Sequence, residues 1–142
     1  MLVEISHLND AQIDALFQMY QFEWWTRGRK RDDVREMVKH SDEIIALWDS
    51  ETRQLVAFAR VLTDYVYRGL ILDVIVESSY RGRGVGQKLM KSILDRPSLA
   101  KVEQFSLFCL PEMVPFYEKW GFADLVDSMR LMILTRSTLA QS

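Results

Sequence analysis

The sequence predicts an α/β (α+β) fold in which strands and helices mix around a central sheet, and three observations carry that expectation. Hydrophobic periodicity switches repeatedly between the strand period and the helix period along the chain. Leu70 to Val76 is a nearly continuous apolar run, the character of a strand covered on both faces. That run leads into a glycine cluster and then into a helical pattern, the strand–loop–helix unit of a layered protein.

The chain has 142 residues, which as a prior corresponds to one domain, 1–142. A chain of that length buries roughly 68 to 70% of its unfolded surface, so a disulfide or metal staple is not required. Apolar residues make up 49% and charged residues 27%, which excludes disordered and collagen-like classes. Eighteen basic and twenty acidic side chains give a net charge of −2, contrary to the cationic surplus of a general nucleic-acid binder. Cys109 is the only cysteine, so no intrachain disulfide forms. The start, MLVEISHLND, lacks a basic region leading into an apolar stretch, and the most apolar window is too short to span a bilayer. The expectation is a cytoplasmic protein that binds neither nucleic acid nor membrane.

Val3 and Ile5 alternate with polar neighbours and predict a first strand. Asn9 or Asp10 caps a helix whose apolar face is Ile13, Leu16, Phe17 and Tyr20, and Asp32 opens a second through Val34, Met37 and Val38. Glu43–Trp48 and Leu55–Leu62 read as strands joined by the turn residues Asp49 to Thr52. After the strand Leu70–Val76, the residues Val85, Leu89, Met90, Ile93 and Leu94 keep helical spacing until Arg96-Pro97. Phe105–Leu110 predicts a further strand, Val114–Trp120 a short helix closed by Gly121, and Leu131–Leu134 a last strand after the Asp127-Ser128 turn.

The glycine cluster is Arg81-Gly82-Arg83-Gly84-Val85-Gly86, placed where unpaired amides and the positive end of a helix can cradle an anion. Its spacing fits neither the dinucleotide pattern, which needs glycine at Gln87, nor the P-loop. Five basic residues, Arg81, Arg83, Lys88, Lys91 and Arg96, face one acid, Asp95, between positions 81 and 96, a local net of +4 that predicts a polyanionic ligand. The plainer reading is a glycine turn beside a solvated basic helix face.

R-x-x-G-x-G after a buried strand, followed by Y-x-x-x-G-F in Tyr117 to Phe122, resembles the GNAT superfamily of acetyl-CoA-dependent N-acetyltransferases. Trp25 to Arg29, Val56 to Asp64 and Asp73 to Val76 are similar to a bacterial subgroup of small acetyltransferases within it. The resemblance implies a mixed, mostly antiparallel sheet of about seven strands with helices on both faces, in the order β-α-α-β-β-β-α-β-α-β-β. It also implies acetyl-CoA as cosubstrate and a primary amine as acceptor, with no metal.

By the same resemblance, backbone groups of Val74, Ile75 and Val76 bind the pantetheine arm as an added strand. The pyrophosphate lies on the amides of Gly82, Arg83, Gly84, Val85, Gly86 and Gln87, with Arg81 bracing the turn. Tyr117 protonates the departing thiolate; on its own it reads equally as a core tyrosine. Leu110 stands where the family often has an asparagine that bonds to the pantetheine. Trp24, Trp25, Tyr65 and Tyr67 fall on connections that border the acceptor cleft in this family, and packing is the alternative for each.

No general base is legible: His7 and His40 lie far from the loop in sequence, and Asp73, Glu77 and Glu112 are the carboxylate candidates, with Asp73 also a candidate acceptor-binding residue. Cys109 has no histidine near it in sequence and reads as a structural thiol. Arg27, Arg29, Lys30 and Arg31 read as a solvated loop or as an attractor for an acidic substrate. Two alternatives stand beside the enzyme: a non-catalytic CoA-binding module, and a polyanion binder acting through Arg27 to Arg31. The acceptor is a small amine or a protein N-terminus, and the apolar carboxy-terminal strand offers an edge for a homodimer.

Overall fold

The structure is a computed structural model that describes residues 1–124 and 129–136. The chain falls into two compact units, Met1–Phe108 and a second beginning at Cys109. The first contains β1 (Leu2–Ile5), α1 (Asp10–Gln21), α2 (Arg31–His40), β2 (Glu43–Asp49), β3 (Gln54–Thr63), β4 (Arg68–Val76), α3 (Val85–Leu94) and β5 (Gln104–Leu107). The second contains α4 (Val114–Glu118). No described helix is long and apolar enough to cross a membrane.

Asn9, not Asp10, caps α1: its side chain accepts from the Gln12 amide while the Gln12 side chain accepts from the Asn9 amide, each at 2.8 Å. This reciprocal pair satisfies two donors that helix geometry leaves open. Asp10 instead occupies the first turn, where a negative charge complements the helix dipole. Ile13, Leu16, Met19 and Tyr20 then share one buried face. They pack with Val34 of α2 and with Ile44, Ala46, Leu55, Phe58 and Ile75 of the sheet. Burial of each large side chain contributes about 1.5–3 kcal/mol, and the Tyr20 and Phe58 rings meet edge to face at 6.4 Å.

Strand alternation sends Ile45 and Leu47, both fully buried, to the opposite face from Ile44 and Ala46. On that face α3 buries Val85, Leu89, Met90 and Ile93 against β2, β3 and β4. The two-faced arrangement is the one expected.

The sheet order is β1-β2-β3-β4-β5, with the first three pairs antiparallel and β4–β5 parallel. Five strands are present among the described residues rather than the expected seven. Leu131–Leu134, expected as a strand, is irregular, and its side chains are 67–90% exposed. An apolar run becomes a strand only when a neighbouring edge takes up its backbone hydrogen bonds, a condition that apolar composition does not itself supply. The Asp127-Ser128 turn lies outside the described residues. β5 ends at Leu107, short of the expected Leu110.

Two irregularities shape β4. Phe58 faces Ile75 and Arg60 faces Leu72, so Ala59 stands against both Asp73 and Val74, and Asp73 has φ +57. This is a bulge with a non-glycine residue in the left-handed region, a conformation that other contacts must hold. Pairing with β5 runs only from Arg68↔Gln104 to Ile71↔Leu107. From Leu72 to Val76 the β5-side edge of β4 therefore has no strand beside it among the described residues.

Candidate active site

The loop after β4 ends in two left-handed glycines, Gly82 at φ +77 and Gly84 at φ +75, the latter capping α3. A side chain is disfavoured at both by about 1–2 kcal/mol. The space around them is open: a Cβ on Gly82 meets nothing within 4 Å, and one on Gly84 meets only the Gln87 side-chain oxygen at 3.8 Å. Packing does not require glycine here; the backbone path does. The amides of Gly82, Arg83, Gly84, Val85, Gly86 and Gln87 donate to no described acceptor. Six unspent donors at the start of a ten-residue helix suit an anion.

Arg81 braces the loop, since its Nε donates to the Val76 carbonyl at 3.1 Å and its guanidinium pairs with Glu23 at the end of α1. Arg83 lies over the Tyr80 ring, 5.2 Å from the centroid, and the Tyr80 hydroxyl donates to Asp49 at 2.7 Å.

The local charge of +4 counted along the sequence is largely neutralised in space. Arg81 pairs with Glu23, Lys91 with Asp95 at 2.6 Å, and Arg96 with Glu4 and Glu43 at 3.0 and 3.1 Å. Arg83 and Lys88 are left without a carboxylate partner among the described residues. Counting residues overstates the field because it omits acids that folding brings in from β1, β2 and the segment after α1.

Asp73 is the most enclosed carboxylate of the site, its side chain only 5% exposed. Arg29 grips it two-pronged, Nη1 to Oδ2 at 2.6 Å and Nη2 to Oδ1 at 3.1 Å. The Arg60 Nε and the Tyr20 hydroxyl donate to Oδ2 at 2.9 and 3.1 Å. Burial pushes the Asp73 pKa up, but these bonds and the two guanidinium charges prevail and hold it below its ordinary value. Burial and the Asp73 charge raise the Tyr20 hydroxyl far above the usual tyrosine value.

The sequence reads Tyr20 only as part of the apolar face of α1, Arg60 only within the segment 56–64, and Arg29 only as part of a solvated or substrate-attracting run. A signal existed for Arg60: one acid in the apolar run of β4 and one cation in the apolar run of β3 require each other. No comparable signal pointed to Arg29.

Of the other base candidates, Glu77 accepts from the Ser79 amide at 2.8 Å and from the Ser79 hydroxyl, and its pKa is lowered chiefly by that hydroxyl, against burial. Glu112 is exposed. His7 is exposed, and His40 pairs with Glu36 at 3.0 Å.

The four aromatic candidates divide into two pairs. Trp24 and Trp25, the former 65% exposed, follow Glu23, whose partner Arg81 binds the last residue of β4. Tyr65 and Tyr67 precede the first, with the Tyr65 hydroxyl donating to Glu43 at 2.7 Å. The two pairs thus flank opposite ends of β4 in the chain.

In the second unit, Tyr117 lies in α4, buried edge-on against Phe116 at 5.0 Å and Phe122 at 6.1 Å. Its carbonyl accepts from the Trp120 and Phe122 amides. Gly121, at φ +94, turns the chain so that Phe122 folds back, which accounts for Y-x-x-x-G-F in local terms. Burial, with a smaller contribution from Cys109, raises the Tyr117 pKa, so the phenol keeps its proton at neutral pH. Burial also raises the Cys109 thiol, helped by Asp124 and Glu112, the opposite of an activated nucleophile. Leu110 is exposed at the head of the Pro111–Met113 turn.

Comparison with known proteins places these features in a family. Residues 10–122 match the Acetyltransferase (GNAT) family. The chain is 31% identical over 133 residues to the uncharacterized N-acetyltransferase ycf52 of Porphyra purpurea, covering 92% of this chain and 75% of that protein. It is 34% identical over 112 residues to serotonin N-acetyltransferase 2, chloroplastic, of Oryza sativa subsp. japonica, covering 77% of this chain and 56% of the rice protein. The match thus spans just over half of that relative's length. A GNAT-family structure from Xanthomonas campestris pv. campestris superposes with a TM-score of 0.79 at 24% identity, covering 99% of this chain and 98% of the other. The GNAT-family acetyltransferase of Streptococcus pneumoniae TIGR4 gives 0.75 at 23%, covering 96% and 99%. At those identities the structures speak for the fold alone. With the motif pair, the unspent amides and the matched family on one chain, the protein belongs to the GNAT acetyltransferase family.

Proposed function

We propose that this protein transfers an acetyl group from acetyl-CoA to a primary amine by direct attack within a ternary complex. The observation that carries the reading is the juxtaposition of six unspent amides, Gly82 to Gln87, with the unpaired edge of β4. The residues present fit the ligand: two exposed left-handed glycines leave the space a Cβ would occupy open to a pyrophosphate, and Arg83 and Lys88 carry uncompensated positive charge. Backbone groups of Val74, Ile75 and Val76 would take the pantetheine arm as an additional strand.

When bound, acetyl-CoA supplies an activated acyl thioester. The chain orients it, polarises its carbonyl with backbone donors, and returns a proton to the sulfur. The motif assigns that proton to the Tyr117 hydroxyl, and a raised pKa suits a group that must stay protonated until the thiolate develops. Asp73 accepts four hydrogen bonds from two arginines and a tyrosine and is a poor proton acceptor, which leaves water, Glu77 or Glu112 for that step. Cys109, with its raised pKa, takes no covalent part. Trp24 and Trp25 offer exposed aromatic faces to an amine-bearing acceptor, either a small molecule or a protein N-terminus. The rice relative's name makes serotonin the first amine to try.

Acetyl-CoA titration by calorimetry, followed by thiol release across serotonin, spermidine and a peptide with a free N-terminus, tests the reading. Binding with turnover of at least one amine is expected. Binding without turnover of any amine favours the non-catalytic CoA-binding module, and absence of binding rejects both.

A further inference from the structure

The connection between α1 and α2 is fastened to β4 at two points that bracket the proposed acyl-donor segment. At one, Arg29 holds Asp73 with both Nη atoms. At the other, Glu23 holds Arg81, which binds the Val76 carbonyl. Val74 and Ile75 lie between. The connection is itself stiffened: the Thr26 hydroxyl, fully buried, donates to the Tyr20 carbonyl at 2.9 Å, the Arg29 amide donates to Thr26, and the Arg29 guanidinium lies 4.9 Å from the centre of the Tyr20 ring. Trp24 and Trp25 sit between the two fastenings.

Electrostatics assigns Asp73 its part. This enclosed carboxylate accepts four bonds from two arginines and a tyrosine, three on Oδ2 and one on Oδ1, so its acceptor capacity goes chiefly to protein donors rather than to a substrate. It also occupies the left-handed bulge of β4, which needs an external hold. Arg60 supplies that hold from β3 and Arg29 from the connection.

We propose that Arg29 and Asp73, with Glu23 and Arg81 as the second strut, are positioning residues that lock the Trp24–Trp25 segment against the unpaired stretch of β4 and so set the distance between acceptor and acyl donor. The proposal rests on the acetyl-transfer reading for its functional consequence and on the two ionic struts for its structural one. Arg29 transmits rather than reacts. Its removal should slacken the connection and β4 together, weakening acceptor binding and alignment while leaving the glycine loop intact.

The test compares wild type with Arg29→Met, Arg29→Lys and Asp73→Asn by amide hydrogen exchange, coenzyme A calorimetry and steady-state transfer to serotonin. In Arg29→Met, residues 22–28 and 72–76 should exchange faster together by about tenfold, with α3 unchanged. The KM for serotonin should rise about tenfold while coenzyme A affinity, held by the glycine loop as well as by residues 74–76, falls by less, about threefold. Arg29→Lys keeps the charge and loses the fork, so it should fall between the two, and it is judged by the same rule should Arg29→Met fail to fold. Faster exchange in only one segment, or coenzyme A affinity falling in step with the amine KM, overturns the proposal. So does loss of transfer in Asp73→Asn alone, with a displaced acid limb in its pH profile, because Asp73 would then be a base. If wild type leaves serotonin untouched, the failure lies with that acceptor, and the exchange arm still decides the struts.

Discussion

Replacing Gly84 with alanine separates the demands of the fold from those of the ligand. Gly84 sits at φ +75 and ψ +13 as the cap of α3, and an alanine Cβ would stand 3.8 Å from the Gln87 side-chain oxygen, ordinary contact. The structural cost is then the left-handed conformation itself, about 1–2 kcal/mol. For a chain of this size that lowers Tm by about 2–8 °C. The helix should survive, because Val85, Leu89, Met90 and Ile93 remain buried behind it. Binding suffers more: a methyl beside the unspent amides, or a backbone that shifts to relieve φ, forfeits one charge-assisted hydrogen bond at about 1.5–3 kcal/mol. That is about a 10- to 150-fold loss of acetyl-CoA affinity. Gly28→Ala is the control, since Gly28 has neither a left-handed φ nor any atom within 4 Å of an added Cβ. Calorimetric titration of the folded variants decides the matter. Wild-type affinity in a folded Gly84→Ala protein, or in the more strained Gly84→Val, would refute the assignment of the pyrophosphate to this loop.

Tyr117→Phe keeps the ring packing and should slow single-turnover acetyl transfer by about 100- to 10,000-fold at unchanged acetyl-CoA affinity; a wild-type single-turnover rate would show that water protonates the sulfur. Cys109→Ala should keep most turnover, and an acetyl adduct trapped on Cys109 and passed on to amine would contradict this. Gly69→Ala would put a Cβ 2.8 Å from the Phe105 ring and should destabilise by about 1–3 kcal/mol in urea melts, with partial recovery on adding Phe105→Leu. The depressed pKa of Asp73 gives stability that is fully present above its ordinary value of 3.8 and lost as pH falls through the lower folded value. The stability deficit of Asp73→Asn should therefore shrink below pH 3.8, and a deficit independent of pH across that range would show that the ion pairs contribute nothing.

Elements built from neighbours in sequence were legible at once. The α1 face, the α3 stop before Pro97 and the loop glycines each depend on interactions within a few residues, which periodicity and turn chemistry encode. Leu131–Leu134 shows the limit of that logic. Its apolar composition matches a strand, yet the described segment is irregular, because strand formation depends on a partner that composition alone does not specify. The glycine loop was legible from its own residues and the family resemblance led to Val74, Ile75 and Val76, but the residue count around the loop exaggerated its charge.

The sequence by itself determined the element order through α3, the glycine loop with its free amides, and the family. Only the tertiary structure decided that two arginines and a tyrosine clamp the Asp73 carboxylate, that Arg29 belongs to β4 across 44 positions of chain, and that Arg81 and Arg96, two of the five basic residues near the loop, pair with acids from distant segments. The physical reason is common to all three. Turns, caps and helical faces are set by short-range sterics and hydrogen bonding, whereas the charge state and partners of a buried ion depend on which distant segments the folded chain brings within a few ångströms of it.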